Sequence, residues 1–265
     1  MSKIQKMMEV SKKSVEINAD IALINQHSLK ELTPEDVFAF AVTLCDNEID
    51  RDFDLITTQS LEKLAPLFVG KTGIFDHARS AKNQVARLYK VEVENGGGKT
   101  SQGEQKKVLK GYAYILRDDS TAEIISKIEG GILKEVSVGF SVESCVCSIC
   151  GGSITWWGCE NGHDKGFEYD GKQCYGILEN PVDAYEFSFV AVPAQRGAGV
   201  TKHCTSGDVE KAFQVLMAAD LEPYGEKLDA VVQKFKNTAM DSEERRHRKQ
   251  ILEENKKFTK RRDTQ

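Results

Sequence analysis

Three side chains in this sequence have the chemistry of a nucleophile, a general base and an orienting acid. His77 follows Asp76 at the end of an apolar run, Gly73-Ile74-Phe75. Ser137 lies in Glu135-Val136-Ser137-Val138-Gly139-Phe140, and Glu186 opens Glu186-Phe187-Ser188-Phe189-Val190-Ala191-Val192-Pro193-Ala194. An imidazole titrates near neutral pH, so it suits proton transfer from a hydroxyl. A carboxylate beside it fixes its tautomer and stabilises the imidazolium formed as the hydroxyl attacks. A glutamate in an apolar run needs a partner, and a histidine is one. Each residue also has a plainer reading: a structural or surface histidine, a small polar residue in a strand, an acid satisfied elsewhere. Ser141 would share the strand face of Ser137 and competes with it. Asp76 is expected to serve a turn rather than the site, because adjacent residues on an extended chain point to opposite faces.

A second pattern occupies residues 145–174. Cys147-Ser148-Ile149-Cys150-Gly151 is followed by Cys159-Glu160-Asn161-Gly162-His163 and then by Cys174. A Cys-x2-Cys-Gly knuckle with Cys-x3-His supplies three thiolates and one imidazole, the donor set of a tetrahedral zinc site. The glycine after the knuckle permits the tight turn that points amides at sulfur. With Cys147, Cys150, Cys159 and His163 as ligands no position stays open, so one structural zinc ion is expected and none for catalysis. Cys145 or Cys174 could replace one of the four. A disulfide cluster fits less well, since seven cysteines leave one unpaired and no signal peptide is evident. The segment is too short to bury a core of its own, which is why a metal would be needed. Trp156, Trp157, Phe167 and Tyr169 are expected to pack around it.

Other motifs fail on inspection. Gly70-Lys71-Thr72 and Gly98-Lys99-Thr100 resemble the end of a phosphate-binding loop, but Ala65 and Val93 stand where its first glycine belongs. Asp50, Asp52 and Asp54 mimic a calcium loop whose glycine and bidentate acid are replaced by Leu55 and Leu61. A net charge of −5 over 265 residues gives no general argument for nucleic-acid binding. No apolar run approaches the roughly 20 residues of a membrane span. Met1-Ser2-Lys3-Ile4-Gln5-Lys6 leads into polar residues, so a soluble protein of the cell interior is expected.

The elements that must position these residues are mostly strands. Val37–Leu44, Val85–Val93, Val108–Leu116, Leu133–Val142 and Phe187–Val192 are β-branched and aromatic runs bounded by turn formers. Residues 94–107, rich in Gly, Ser, Lys and Gln, read as an exposed loop between two hairpin strands. Leu61, Leu64 and Leu67 predict a short helix ending near Pro66. A second helix is predicted over Thr121–Glu129, capped by Asp119 or Ser120 and stopped by Gly130-Gly131. The fold class is therefore α+β and β-rich, with few helices. Residues 1–30 read as an N-terminal arm, 31–204 as the main domain with 144–179 inserted, and 205–265 as a helical, charged C-terminal tail.

The order and spacing of the three pieces around His77, Ser137 and Glu186 resemble the prohead proteases of tailed bacteriophages, serine endopeptidases related to herpesvirus assemblins. The resemblance covers roughly residues 38–203. It implies an assemblin-like, partly closed β-barrel with His77 as base, Ser137 of Ser137-Val138-Gly139-Phe140 as nucleophile, and Glu186 as acid. Assemblins use a second histidine in the third position, which keeps His163 and His203 open beside Asp183. The resemblance further implies cleavage of scaffold or scaffold-like parts of the major capsid protein, and of the protease itself, inside the immature capsid in the host cytoplasm. Self-association is compatible with this; membrane and direct nucleic-acid partners are not expected. The rival expectations are a catalytically inert capsid-assembly or scaffolding protein and, less favoured, a zinc-dependent adaptor.

Overall fold

The computed structural model describes residues 20–201; the expected N-terminal arm, apart from its last residues, His203 and the expected tail lie outside them. The chain divides into two units, and the one formed by Leu23–Leu29 and Asp36–His203 carries every described strand.

Its sheet begins with β1 (Val37–Asp46), apolar on both faces and buried along nearly its whole length. β1 pairs antiparallel with β5 (Gln105–Leu116), and β5 with β4 (Ala86–Lys99). The hairpin strands thus run much further than the apolar residues alone predict. The expected loop shrinks to a turn, because Gly-rich backbone can pair as well as any other and Thr100 closes the turn by accepting the Glu104 amide. β4 continues to β3 (Thr72–Phe75), and β3 lies parallel to β11 (Gly176–Phe189). At its other end β11 runs parallel to β2 (Asp54–Ile56), and its opposite edge pairs antiparallel with β6 (Val136–Cys147). β12 (Gly199–Thr201) flanks β1.

The result is an open, mixed, eight-stranded sheet. A closed barrel is not formed: between β6 and β12 a single isolated bridge, Glu135 to Gly199, stands where a continuous ladder would be required. Two more short strand pairs, β7 (Ile154–Thr155) with β8 (Gly158–Cys159) and β9 (Glu168–Tyr169) with β10 (Lys172–Gln173), lie in the segment between β6 and β11.

Two helices cover the core. α1 (Thr58–Phe68) starts where the Thr57 hydroxyl accepts the Ser60 amide, and it buries Leu61, Leu64 and Phe68. It runs past Pro66, contrary to expectation, because a proline in the last turn removes only one backbone bond while Phe68 gains full burial. The Ser60 hydroxyl donates to the Leu178 carbonyl and ties α1 to β11. α2 (Ala122–Glu129) buries Ile125 and Ile128. Its N-cap is Thr121, and Asp118 accepts the amides of Ser120 and Thr121 just before the helix. Among the described residues no helix is long and apolar enough to cross a membrane.

Candidate functional site

The strands β6, β11 and β3 lie side by side and bring the three sequence candidates to one end of the sheet. In the register, Ser188 faces Ser137, Glu186 faces Gly139, and both β11 residues neighbour β3. Cross-strand partners and residues two apart share a face, so Ser137, Gly139, Glu186 and Ser188 form one polar surface. The opposite face carries Phe187, Phe189, Val136 and Val138 against the core.

His77 reaches this surface from the turn after β3. The Ala78 amide donates to the Phe75 carbonyl, and both central residues, Asp76 and His77, have positive φ (50° and 53°). Two left-handed non-glycine residues in succession cost on the order of 1–3 kcal/mol each, and such turns favour Asp. The chain at Asp76 is therefore a primed turn and not extended; Asp76 still serves the turn, its amide donating to the Phe189 carbonyl. The His77 amide is held by the Ser188 hydroxyl at 3.0 Å, and the imidazole Nδ1 meets Glu186 Oε1 at 2.9 Å.

Glu186 is 2% exposed, and its second oxygen accepts the Ser188 hydroxyl at 2.8 Å. A buried carboxylate is tolerable when both oxygens are occupied in this way. Gly139 is what makes room: a Cβ there would stand 2.3 Å from Glu186 Oε1. The missing side chain at Gly139 thus admits the carboxylate.

The other candidates separate cleanly. Asp183 pairs with Lys71 at 3.2 Å, and Ser141 lies opposite Asp183, away from His77. His163 belongs to the cysteine cluster, and His203 lies outside the described residues. Ser188 is wholly buried and cannot meet a substrate, whereas Ser137 is half-buried. Among the described residues no hydrogen bond joins Ser137 to His77. Two residues were missed from sequence. Ser188 positions both His77 and Glu186, yet in an alternating run it is indistinguishable from a strand serine. Arg79, whose guanidinium sits 4.5 Å from the Tyr185 ring centroid, lies 3.3 Å from the place a Gly139 Cβ would take.

The second site is built from two knuckles. β6 ends on Cys147, whose amide donates to the Gly152 carbonyl, and Gly151 turns the chain at φ +75°. Beyond β8, the Cys159 amide donates to the His163 carbonyl while the His163 amide points at Cys159 Sγ, 3.3 Å away. The ligand atoms of Cys147, Cys150, Cys159 and His163 all lie within 4.8 Å of one another, so the group could hold a metal ion. A tetrahedral ion with metal–sulfur bonds of about 2.3 Å requires sulfurs about 3.8 Å apart and nitrogen about 3.6 Å from sulfur. Cys150 and Cys159 are 3.8 Å apart, and His163 Nδ1 is 3.4 Å from Cys159 and 3.8 Å from Cys147.

The Asn161 side chain donates to Cys150 Sγ, and with the Gly152 amide it pulls that thiol down to about 6. Burial instead pushes Cys174 up to about 12, with Cys147 as its neighbour at 3.7 Å. Cys174 caps the small core of Cys147 and Ile154 but lies outside the four-atom group. Cys145 is turned to Asp54, 3.8 Å away. Of the aromatics expected to pack here, only Tyr169 does so, edge-on to His163 at 4.6 Å. Trp156, Trp157 and Phe167 are exposed; the two tryptophans are the two-residue turn between β7 and β8, from which only Ile154 of the hairpin's apolar side chains turns inward.

Searched against families, curated proteins and solved structures, the chain matches no family model, no curated protein and no solved structure.

Proposed function

We propose that this protein is a serine endopeptidase, with Ser137 as nucleophile, His77 as general base and Glu186 as the acid that orients it. The observation that carries the proposal is the buried Glu186 carboxylate bonded at 2.9 Å to His77 Nδ1, on the sheet face that also presents Ser137. With Nδ1 engaged, Nε2 is the nitrogen free to accept the Ser137 proton as Oγ attacks a carbonyl, and to return it to the leaving amine. Ser188 and Gly139 keep the carboxylate in place. The arrangement is economical with charge: the acid is shielded, and the base stands at the surface. By its resemblance to prohead proteases, the chain takes scaffold or scaffold-like capsid segments and itself as substrates. The fold itself does not fix such a role.

The four-ligand cluster would hold one zinc ion. Zinc suits three thiolates and an imidazole in tetrahedral array, and with every position taken its part is structural. When bound it cross-links β6 to the segment ahead of β11.

Expression of the wild type beside Ser137→Ala, followed by intact mass, tests the enzyme. Truncation products in the wild type that vanish in the variant are expected. Identical fragments in both would remove Ser137 from the mechanism. A second reading, a catalytically inert assembly protein on the same fold, is favoured by the missing hydrogen bond between Ser137 and His77. Catalytic hydrogen bonds often tighten only around substrate. Intact chains in both samples, even with the shell protein co-expressed, would select the inert reading.

A further inference from the structure

Neither site uses the exposed aromatic residues of the cysteine segment, two of which form the tip of its first hairpin. Trp157 is 95% exposed, Trp156 74% and Phe167 65%. Lone surface apolar residues are ordinary, but three large aromatics on one short segment mark a contact surface. We propose that this tip docks a lysine- or arginine-rich polypeptide segment of a partner protein.

The backbone holds the two indoles outward. Trp156 and Trp157 form the two-residue turn of the β7–β8 hairpin, in which Ile154 pairs with Cys159 and points inward. Thr155 Oγ1 donates to the Gly158 carbonyl and accepts the Trp157 amide, which fixes the turn. Cys159 follows at once, so a candidate metal ligand anchors the hairpin's base. Rigid aromatic contact area loses little entropy on binding.

Charge selects the partner. The same segment carries Glu160, Asp164, Glu168 and Asp170, and Asp164 Oδ1 lies beside Gly158, the first residue after the turn. Against them stand Lys165 and Lys172, and Lys165 is taken by Asp54 at 2.5 Å. Such a surface repels phosphate backbones and anionic headgroups and attracts cations. Tryptophan is the aromatic that binds cations best on its face. The structure already contains one instance, Lys165 Nζ at 5.5 Å from the Trp156 ring centroid. Trp157 offers the same chemistry to a guest.

Trp156 and Trp157 are the only tryptophans of the sequence, so tryptophan emission, excited beyond the tyrosine absorption band, reports on this tip alone. Titration with octaarginine at about 0.15 M salt is expected to change the emission saturably. Octaglutamate and a Gly-Ser peptide of equal length are expected to leave it unchanged. Anisotropy of labelled octaarginine is expected to show about tenfold weaker binding to Trp157→Ala, the equivalent of about 1.4 kcal/mol. The double variant Asp164→Asn, Glu168→Gln is expected to weaken it similarly. Equal circular dichroism and metal content in the variants establish that they are folded. No saturable response, equal affinity for the neutral peptide, or undiminished binding by Trp157→Ala would each overturn the proposal.

Discussion

The two candidate sites fix their side chains by opposite means. At the His77–Glu186 end, register does the positioning: three strands from distant parts of the sequence meet, and Phe187 and Phe189 lock them against a large core. In the cysteine segment nearly all positioning is local. Two tight turns bring four ligand atoms together, and the small core beneath joins one of them, Cys147, to buried Ile154 and Cys174. The first kind of site inherits the stability of the whole sheet, whereas the second depends on whatever occupies it. A sheet can therefore carry a buried carboxylate, and a small exposed segment can carry a reactive thiol cluster, without either disturbing the other.

Removing metal should separate the two regions most sharply. Binding of a structural zinc is worth on the order of 10–16 kcal/mol in small domains. Chelation, or Cys150→Ser, should abolish amide protection across residues 148–175 while β1 and β5 keep theirs in hydrogen exchange. Loss of protection in β1 as well would show that the regions are one cooperative unit. Next in size is Glu186→Gln. It should lower turnover by about 10⁴, as loss of a triad acid does elsewhere, with metal content unchanged; turnover within tenfold of wild type would take the acid's role from Glu186.

Gly139→Ala tests the packing of the dyad. Its Cβ must displace the carboxylate or the strand, at a cost of about 1–3 kcal/mol, read as a lower midpoint in urea. Ser188→Ala should cost about 1–3 kcal/mol by leaving a Glu186 oxygen and the His77 amide without their partner. It should also shift the pH profile of turnover, which a purely structural serine would not do.

The smallest expected effect concerns Asp50, which accepts the amides of Asp52 and Asp54. Burial raises its carboxyl from 3.8 to about 6. The folded chain then holds this proton more tightly than the unfolded one, so this group's contribution to stability is fully present below about pH 4 and is lost as pH rises towards 6. Asp50→Asn keeps an accepting oxygen and should remove that decline; an unchanged stability profile between pH 4 and 6 would show that another group titrates there.

Much of the molecule is legible in its residues, and the reasons are physical. A continuous apolar run reveals β1, which is buried on both faces, and alternation reveals β5 and β6, because a strand's burial leaves its pattern in the sequence. The four cysteine-segment ligands are legible because their turns are local and glycine marks them. The pairing of His77 with Glu186 could be named by resemblance, but no local spacing encodes it, since 109 residues separate them and only the sheet register joins them. The parts played by Ser188 and Gly139 are illegible for the same reason: each acts through a neighbour on another element. The exposed tryptophans mislead because bulk and hydrophobicity argue for a core, and only the tight hairpin shows that no core is within reach.

The ladder of β6 and β11 ties the two ends together. β6 spans Val136–Cys147 and β11 Gly176–Phe189, paired over that length with register shifts at Pro181/Asp183 and Ala184/Glu186, so the strands that carry Ser137 and Glu186 also border the cysteine segment. Slippage of β6 past β11 by a single residue would send Ser137 to the opposite face and bring Val136 or Val138 into its place. An ion held at the far end of that ladder would act as a ratchet pawl, opposing such a slip from a distance, with the two register shifts between as the places where slack could be taken up.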